Sequence, residues 1–214
     1  MVEIGEVLSA LAKQRSVFHS EADFQHAFAW KIHQLLPTAS VRLEFPVQVG
    51  NQFLHIDVWV GCQGAVLAVE LKYKTRGLSI RVENEQYHLK SQSAQDIGRY
   101  DFLKDVQRLE QMGAQHRNFT GYAILLTNDS AYWAEPANFK TVDADFRLHD
   151  GRVIEGFLTW GDKASDGTKK NRERAIELQG KYHLCWADYS RLSSNRYGEF
   201  RSLVVKIVQT AKAG

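Results

Sequence analysis

The chain has 214 residues, 44% hydrophobic and 24% charged, which provides for one domain, or one with a sizeable insertion, around a real core. These values exclude a disulfide-dense miniprotein, a collagen-like chain and a wholly disordered one. No apolar run approaches the roughly 18 residues of a membrane span, so no membrane association is expected. Net charge is +2, from 27 basic and 25 acidic side chains, too balanced to hold nucleic acid by bulk electrostatics; any such contact needs a local patch. The two cysteines, Cys62 and Cys185, lack metal-type spacing and point to a reducing interior. The first residues carry Glu3 and Glu6 and no basic start before an apolar core, which predicts no signal peptide and a cytoplasmic location.

Residues 3 to 13 read as a short helix with Ile4, Val7, Leu8 and Leu11 on one side. A second helix starts at Ser20, whose hydroxyl is placed to cap it with Asp23 three residues on, and ends at Pro37; its stripe is Phe24, Phe28, Ile32 and Leu35. Three strands follow, Val41 to Val49, Gln52 to Val60 and Ala65 to Tyr73, separated by Gly50-Asn51 and by Gly61 to Gly64, an antiparallel meander. Residues 74 to 90 are polar and carry no clear signal. A long helix over Ala94 to Met112 has Ser93 and Asp96 as its capping box, Gly113 as its stop, and Ile97, Phe102, Val106 and Leu109 as its apolar side. Tyr122 to Thr127 is a strongly apolar fourth strand. Farther on, Phe146 to Leu148 and Val153 to Leu158 flank Asp150-Gly151 as a hairpin, Tyr182 to Asp188 reads as a strand, and Phe200 to Val208 as an amphipathic closing helix. The expected class is α/β, a mixed sheet with helices on its faces. It forms a single domain over 1–214, with a core over about 18–128 and a strand-rich extension over about 131–214.

The chemistry-bearing residues gather on the second and third strands. Asp57 interrupts the apolar strand His55-Ile56-Asp57-Val58-Trp59-Val60, and Glu70 and Lys72 end Val66-Leu67-Ala68-Val69-Glu70-Leu71-Lys72. Strand alternation puts Glu70 and Lys72 on one face. A hairpin turning at Gly61 to Gly64 sets Asp57 nearly opposite Ala68 and diagonal to Glu70, on that same face. Buried charges of this kind need partners or a metal. Hard oxygen ligands suit Mg²⁺, and an adjacent lysine is suited to orient water or stabilise charge on a phosphate. The plainer alternative is a buried Asp–Lys–Glu salt-bridge cluster that orients strands. Glu21, three and seven residues before Phe24 and Phe28, projects toward the sheet, or else simply favours the helix dipole.

An acidic residue on a leading helix, Asp57 on one strand, Glu70-Leu71-Lys72 on the next, then helix and strand, together resemble the PD-(D/E)XK nuclease superfamily, over roughly residues 18 to 128 and by element order. The resemblance implies a restriction-endonuclease-like αβββαβ core and a metal-dependent nuclease that hydrolyses phosphodiester bonds with a metal-activated water. It implies Mg²⁺, or Mn²⁺ in its place, held by Asp57, Glu70 and the main-chain carbonyl of Leu71, with Lys72 positioning the water and Glu21 supporting the metal shell. The implied substrate is DNA, with RNA as the alternative, and many relatives dimerise to cut both strands. Isoleucine stands before Asp57 where the motif has proline. Gln95 and Tyr100 lie five apart, which does not match the RecB branch, and the segment from Ala131 to Lys181 has no counterpart in the minimal core.

Other residues carry weaker signals. Gln95 and Arg99 share a helix face suited to touching phosphate, although a solvated face is the simpler reading. Lys163 to Arg174, with Lys169, Lys170 and Arg172, is a basic candidate for nucleic acid or a solvated loop. His26 and His33 lack zinc-type spacing, His55 is read as a packed core histidine or a support for Asp57, and Trp133, Trp160 and Trp186 as core residues rather than base-stacking platforms. The alternative function is a non-catalytic member of the same fold, a nucleic-acid-binding or protein-interaction module.

Overall fold

The computed structural model of the chain describes residues 2–50 and 52–208. In chain order it forms α1 (Ile4–Ala12), α2 (Glu21–Leu35), β1 (Ser40–Val49), β2 (Gln52–Cys62), β3 (Ala65–Lys74), β4 (Leu78–Val82), β5 (Glu85–Leu89), α3 (Gln95–Gly113), β6 (Phe119–Thr127), β7 (Val153–Leu158), the single turn α4 (Asp166–Lys169), β8 (Ile176–His183), β9 (Trp186–Arg191) and β10 (Glu199–Val208). Six strands make one mixed sheet in the order β1-β2-β3-β6-β10-β9, with β3 and β6 parallel and the other neighbours antiparallel.

Alternation along the strands divides the core into two layers. On one face Leu67, Val69, Leu71, Tyr122, Ile124 and Leu126 pack against Ile4, Val7, Leu8 and Leu11 of α1 and Phe24, Phe28 and Ile32 of α2. On the other, Ala68, Ala123, Leu125, Leu203, Val205 and Ile207 pack against Phe102, Val106 and Leu109 of α3 and against Ile154, Ile176 and Leu178 of the β7–β8 hairpin. Ser20 caps α2 as its sequence predicts, its Oγ accepting the Asp23 N–H at 3.1 Å. The fourth residue of the α2 stripe, Leu35, is exposed. Among the described residues no helix is long and apolar enough to cross a membrane.

The three-strand meander forms, with one change of register. The β2–β3 turn is the two-residue Gln63-Gly64, both at positive φ (50° and 76°), the backbone that closes tight hairpins. The ladder therefore starts at Cys62↔Ala65 and pairs Trp59, not Asp57, with Ala68. The shift is two residues, so faces are unchanged and Asp57 is level with Glu70. Asn51 of the expected Gly50-Asn51 turn lies outside the described residues. Residues 74 to 90 hold the β4–β5 hairpin. α3 begins after Ala94, at φ 66°, and Asp96 Oδ1 accepts the Ile97 N–H, so no Ser93–Asp96 capping box forms. Ile97 is only half-buried.

The C-terminal third departs most from expectation. Asp150-Gly151 does turn the chain, but β7 pairs with β8 rather than with Phe146 to Leu148, the first of which ends a 3-10 turn at Ala144–Phe146. Tyr182 to Asp188 is split between β8 and β9, because the turn clamps the chain between them: Gly151 N–H donates to Leu184 O, Leu184 N–H to Arg152 O and Trp186 N–H to Asp150 Oδ1. Phe200 to Val208 is strand β10 and not a helix. Its Val204, Val205, Ile207 and Val208 are β-branched, and a place between β6 and β9 buries alternate residues on the two faces. The last strands thus complete the main sheet instead of forming an appendage.

Candidate active site

The site lies where the sheet changes hands. Leu43 and Val58, paired across β1 and β2, belong to the α2-side core, whereas the next pair, Phe45 and Ile56, belongs to the α3-side core. The ribbon rolls over between them, at Glu44 and Asp57. Glu44 takes up the roll with φ at 49°, a left-handed conformation uncommon for a residue with a side chain. Gln25, buried one turn after Glu21 on α2, holds the roll in place: its Nε2 donates to Asp57 O at 2.8 Å and to Glu44 Oε1 at 2.7 Å.

Beyond Val58↔Val69 the β2–β3 ladder ends, which frees amides of β3. Buried amides need acceptors, and here carboxylates supply them. Asp57 Oδ2 accepts the Leu71 N–H at 2.6 Å, and Glu21 Oε2 accepts the Tyr73 N–H at 2.7 Å. Glu21 sits exposed at the rim, and its charge acts on Asp57. Two carboxylates from different elements are so brought to one point on β3 by the chain's need to satisfy its own backbone.

Glu70 and Lys72 emerge from β3 on the α3 side, where the helix adds two residues that the sequence reading missed. Lys72 Nζ lies 2.7 Å from Asp105 Oδ2 and 3.4 Å from Leu71 O. Arg108 Nη1 lies 2.9 Å from Asp105 Oδ1 and 3.6 Å from Glu70 Oε1. Glu70 is buried, at 2% exposure, and its Oε1 has no hydrogen-bond partner. Burial first, then the charges of Asp105 and Asp57, push its carboxyl up to about 9 against the opposing pull of Arg108 and Lys72. Asp57 is also raised, by burial above all and further by Asp105 and Glu21, with the Leu71 N–H and Lys72 pulling the other way. Burial disfavours the Lys72 ammonium, but Asp105, Asp57 and Glu70 outweigh it and hold the group above its usual value. The one sequence signal for Asp105 is an acid set between Phe102, Leu103 and Val106 in the apolar stripe of α3.

Four carboxyl groups (Glu21, Asp57, Glu70 and Asp105) face two cations (Lys72 and Arg108), an excess of two negative charges once Glu70 gives up the proton that burial favours. A divalent cation fits that deficit, and the unpartnered Glu70 Oε1 is where the deficit is felt. Among the described residues no three His, Cys, Asp or Glu side chains converge as a complete ligand set. A cation held here would take Asp57, Glu70, the Leu71 carbonyl and water, the mixture that Mg²⁺ accepts.

The remaining expected contacts are placed differently. Arg99 is on neither a solvated nor a phosphate-facing surface: it is 3% exposed, its Nη1 at 2.6 Å from Asp143 Oδ2 and its Nη2 donating to Ala131 O. Gln95 Nε2 donates to Asp129 Oδ2 at 2.8 Å. Arg172 is engaged by Asp101, Lys169 is half-buried 3.8 Å from Asp166, and Lys170 is exposed. His55 faces solvent rather than the core. Trp160 stacks on Tyr100 and Trp186 is buried with its Nε1 on Leu148 O, so these two rings are structural. No protein-family model, no curated protein and no solved structure matches the chain.

Proposed function

We propose that the chain is a metal-dependent nuclease of PD-(D/E)XK type, hydrolysing phosphodiester bonds in DNA with water as the nucleophile. The observation that carries this reading is the buried Glu70 carboxyl, level with Asp57, whose Oε1 accepts no hydrogen bond and has Arg108 only at 3.6 Å. A cluster serving strand orientation alone gains nothing from such an oxygen, because an unsatisfied buried acceptor costs about 1–3 kcal/mol. The mixed sheet, with its meander, the crossover through α3 and the parallel return on β6, agrees with a restriction-endonuclease-like core.

Asp57, Glu70 and the Leu71 carbonyl are the groups that would hold Mg²⁺ or Mn²⁺. When bound, the ion supplies a Lewis acid that lowers the pKa of water and offsets phosphate charge. Lys72 stays protonated, so its part is to orient the attacking water and to stabilise charge developing on the phosphate, not to accept a proton. Asp105 fixes that ammonium in place, and Glu21 extends acidic character to the rim.

A second reading, a non-catalytic binding module, draws on one observation: Lys72 is already engaged by Asp105, at 2.7 Å. The two readings part in a cleavage assay on plasmid and single-stranded DNA with Mg²⁺ or Mn²⁺. The nuclease reading expects cutting by the wild type and none by Asp57→Ala/Glu70→Ala with an unchanged circular-dichroism spectrum. Cutting that survives in the double variant overturns it, and DNA binding without cutting by the wild type favours the module.

A further inference from the structure

The stretch from Trp160 to the start of β8 is laid against α3 by a series of specific contacts. Trp160 stacks on Tyr100 with ring centroids 5.6 Å apart, and its Nε1 donates to Arg172 O at 2.8 Å. The Arg172 guanidinium grips Asp101 with two parallel bonds of 2.7 and 2.8 Å, and Tyr100 OH donates to Arg174 O at 2.8 Å. Farther along, Gln107 Nε2 donates to Glu177 O, and Glu110 accepts the Gln179 and Gly180 amides. β8 therefore tracks α3 in the same direction, which sets Arg174 level with the turn that carries Tyr100 and Lys104.

Lys104 and Arg108 follow at a spacing of one helical turn, about 5.4 Å of rise, and Arg108 reaches the site at 3.6 Å from Glu70 Oε1. Three cations thus step along one edge of α3 from Arg174 through Lys104 to the carboxylate pocket. Arg174 is exposed and Lys104 half-exposed. Among the described residues neither has a carboxylate within ion-pairing distance, while Arg172 and Arg108 both do. Partial burial, then the charges of Arg174 and Arg108, hold the Lys104 ammonium below its usual value against the pull of Asp105, so Lys104 feels the repulsion of both neighbours. Lys104, whose Nζ donates only to the neutral Gln107 Oε1 at 2.8 Å, and Arg174 have no ion-pair partner of their own, and an anion laid across them relieves the repulsion. An extended polyanion whose charges continue into the site meets that requirement; a lone small anion does not use the row.

We propose that Lys104 and Arg174 grip the phosphodiester backbone beside the phosphate bound at Glu70 and Lys72, so that the segment after α4 supplies a substrate contact through one arginine while Arg172 only pins it to α3. The placement next to the cleaved bond rests on the nuclease reading; the nucleic-acid contact does not.

The test is fluorescence anisotropy of labelled single- and double-stranded DNA in metal-free buffer over a range of KCl, with steady-state cleavage in Mg²⁺ on the same samples. Lys104→Ala/Arg174→Ala is expected to flatten the slope of log affinity against log salt by about 1.4–1.8, since each phosphate contact contributes about 0.7–0.9. Affinity should fall about 10–100-fold near 0.1 M salt, about 0.7–1.4 kcal/mol per contact, and the loss in cleavage should be carried by KM. Lys13→Ala/Arg42→Ala removes the same charge elsewhere and is expected to keep the slope. Lys104→Gln/Arg174→Gln repeats the measurement should the alanine pair unfold. An unchanged slope in a folded variant, an equal loss in the control pair, or a wild type that binds no DNA overturns the proposal. A flattened slope in a wild type that never cuts leaves the grip standing and removes the nuclease reading instead.

Discussion

Two buried ionic clusters lie against α3, and they differ in how their charges close. Around Arg99, both oxygens of Asp143 are taken, one by Arg99 at 2.6 Å and the other by Arg147 at 3.2 Å, and Arg99 also donates to Ala131 O and lies over the Tyr132 ring. What goes without a partner there is N–H, the Nε of Arg99 and that of Arg147, which attract no cation. Around Glu70 the carboxyl groups outnumber the cations; Arg108 Nε goes unpartnered there too, but so does a carboxyl oxygen, Glu70 Oε1, while Asp105 Oδ2 at least has the Lys72 ammonium at 2.7 Å. The first cluster fastens the segment after β6 onto the helix. The second holds charge in an unfinished state at the place where β2 leaves β3. Burial does not distinguish the two clusters; the carboxyl oxygen left unpaired at Glu70 does.

The largest expected effect breaks the comparison on the functional side. Asp57→Ala or Lys72→Ala should lower cleavage about 10³-fold or more, as loss of a preorganised charge at a reacting phosphate does, while thermal unfolding stays cooperative. On the structural side, Asp143→Ala leaves Arg99 and Arg147 buried without their carboxylate. It should cost about 3–5 kcal/mol, a fall of about 6–20 °C in Tm for a chain of this size, with cleavage per folded molecule retained. Asp105→Asn sharpens the contrast, because it keeps the shape of the site and removes the charge that fixes Lys72. A loss of about 10–100-fold is expected, the range for residues that orient the groups at a metal. A loss in kcat without a matching loss in DNA affinity identifies it as positioning.

The smallest effect is a gain in stability. Glu70 titrates near 9 in the folded chain against the usual 4.5, so the folded state keeps a proton that the unfolded chain sheds. Wild-type stability therefore falls as pH climbs through that window. Glu70→Gln escapes this penalty: in metal-free buffer at pH 8 its Tm should lie about 2–10 °C above wild type, with the gain disappearing toward pH 4.5. A variant less stable than wild type at pH 8 would show that Glu70 is a satisfied structural carboxylate.

Much of the site is legible in the sequence because strands are periodic. Alternation places Glu70 and Lys72 together, and an acid inside an apolar strand marks Asp57. The face assignment survived a register error of two residues because the pleat repeats every two. Arg108 and Gln25 could not be found this way: each is an ordinary polar residue on a helix, and only packing gives it a part, while Asp105 shows only as an acid within the apolar stripe of α3. The C-terminal third was misread for a related reason. A short apolar run such as Phe200 to Val208 satisfies both periods, and only its place between β6 and β9 decides for the strand. The Asp150-Gly151 turn is real, but its flanks find partners far along the chain.

The central claim, that the Glu70 pocket binds a divalent cation, is tested most directly by titration calorimetry of Mn²⁺ into wild type and Glu70→Gln at pH 7.5. The account predicts saturable binding in the wild type that is lost in the variant. A wild type that takes up no Mn²⁺, or a variant that binds it equally well, would contradict it.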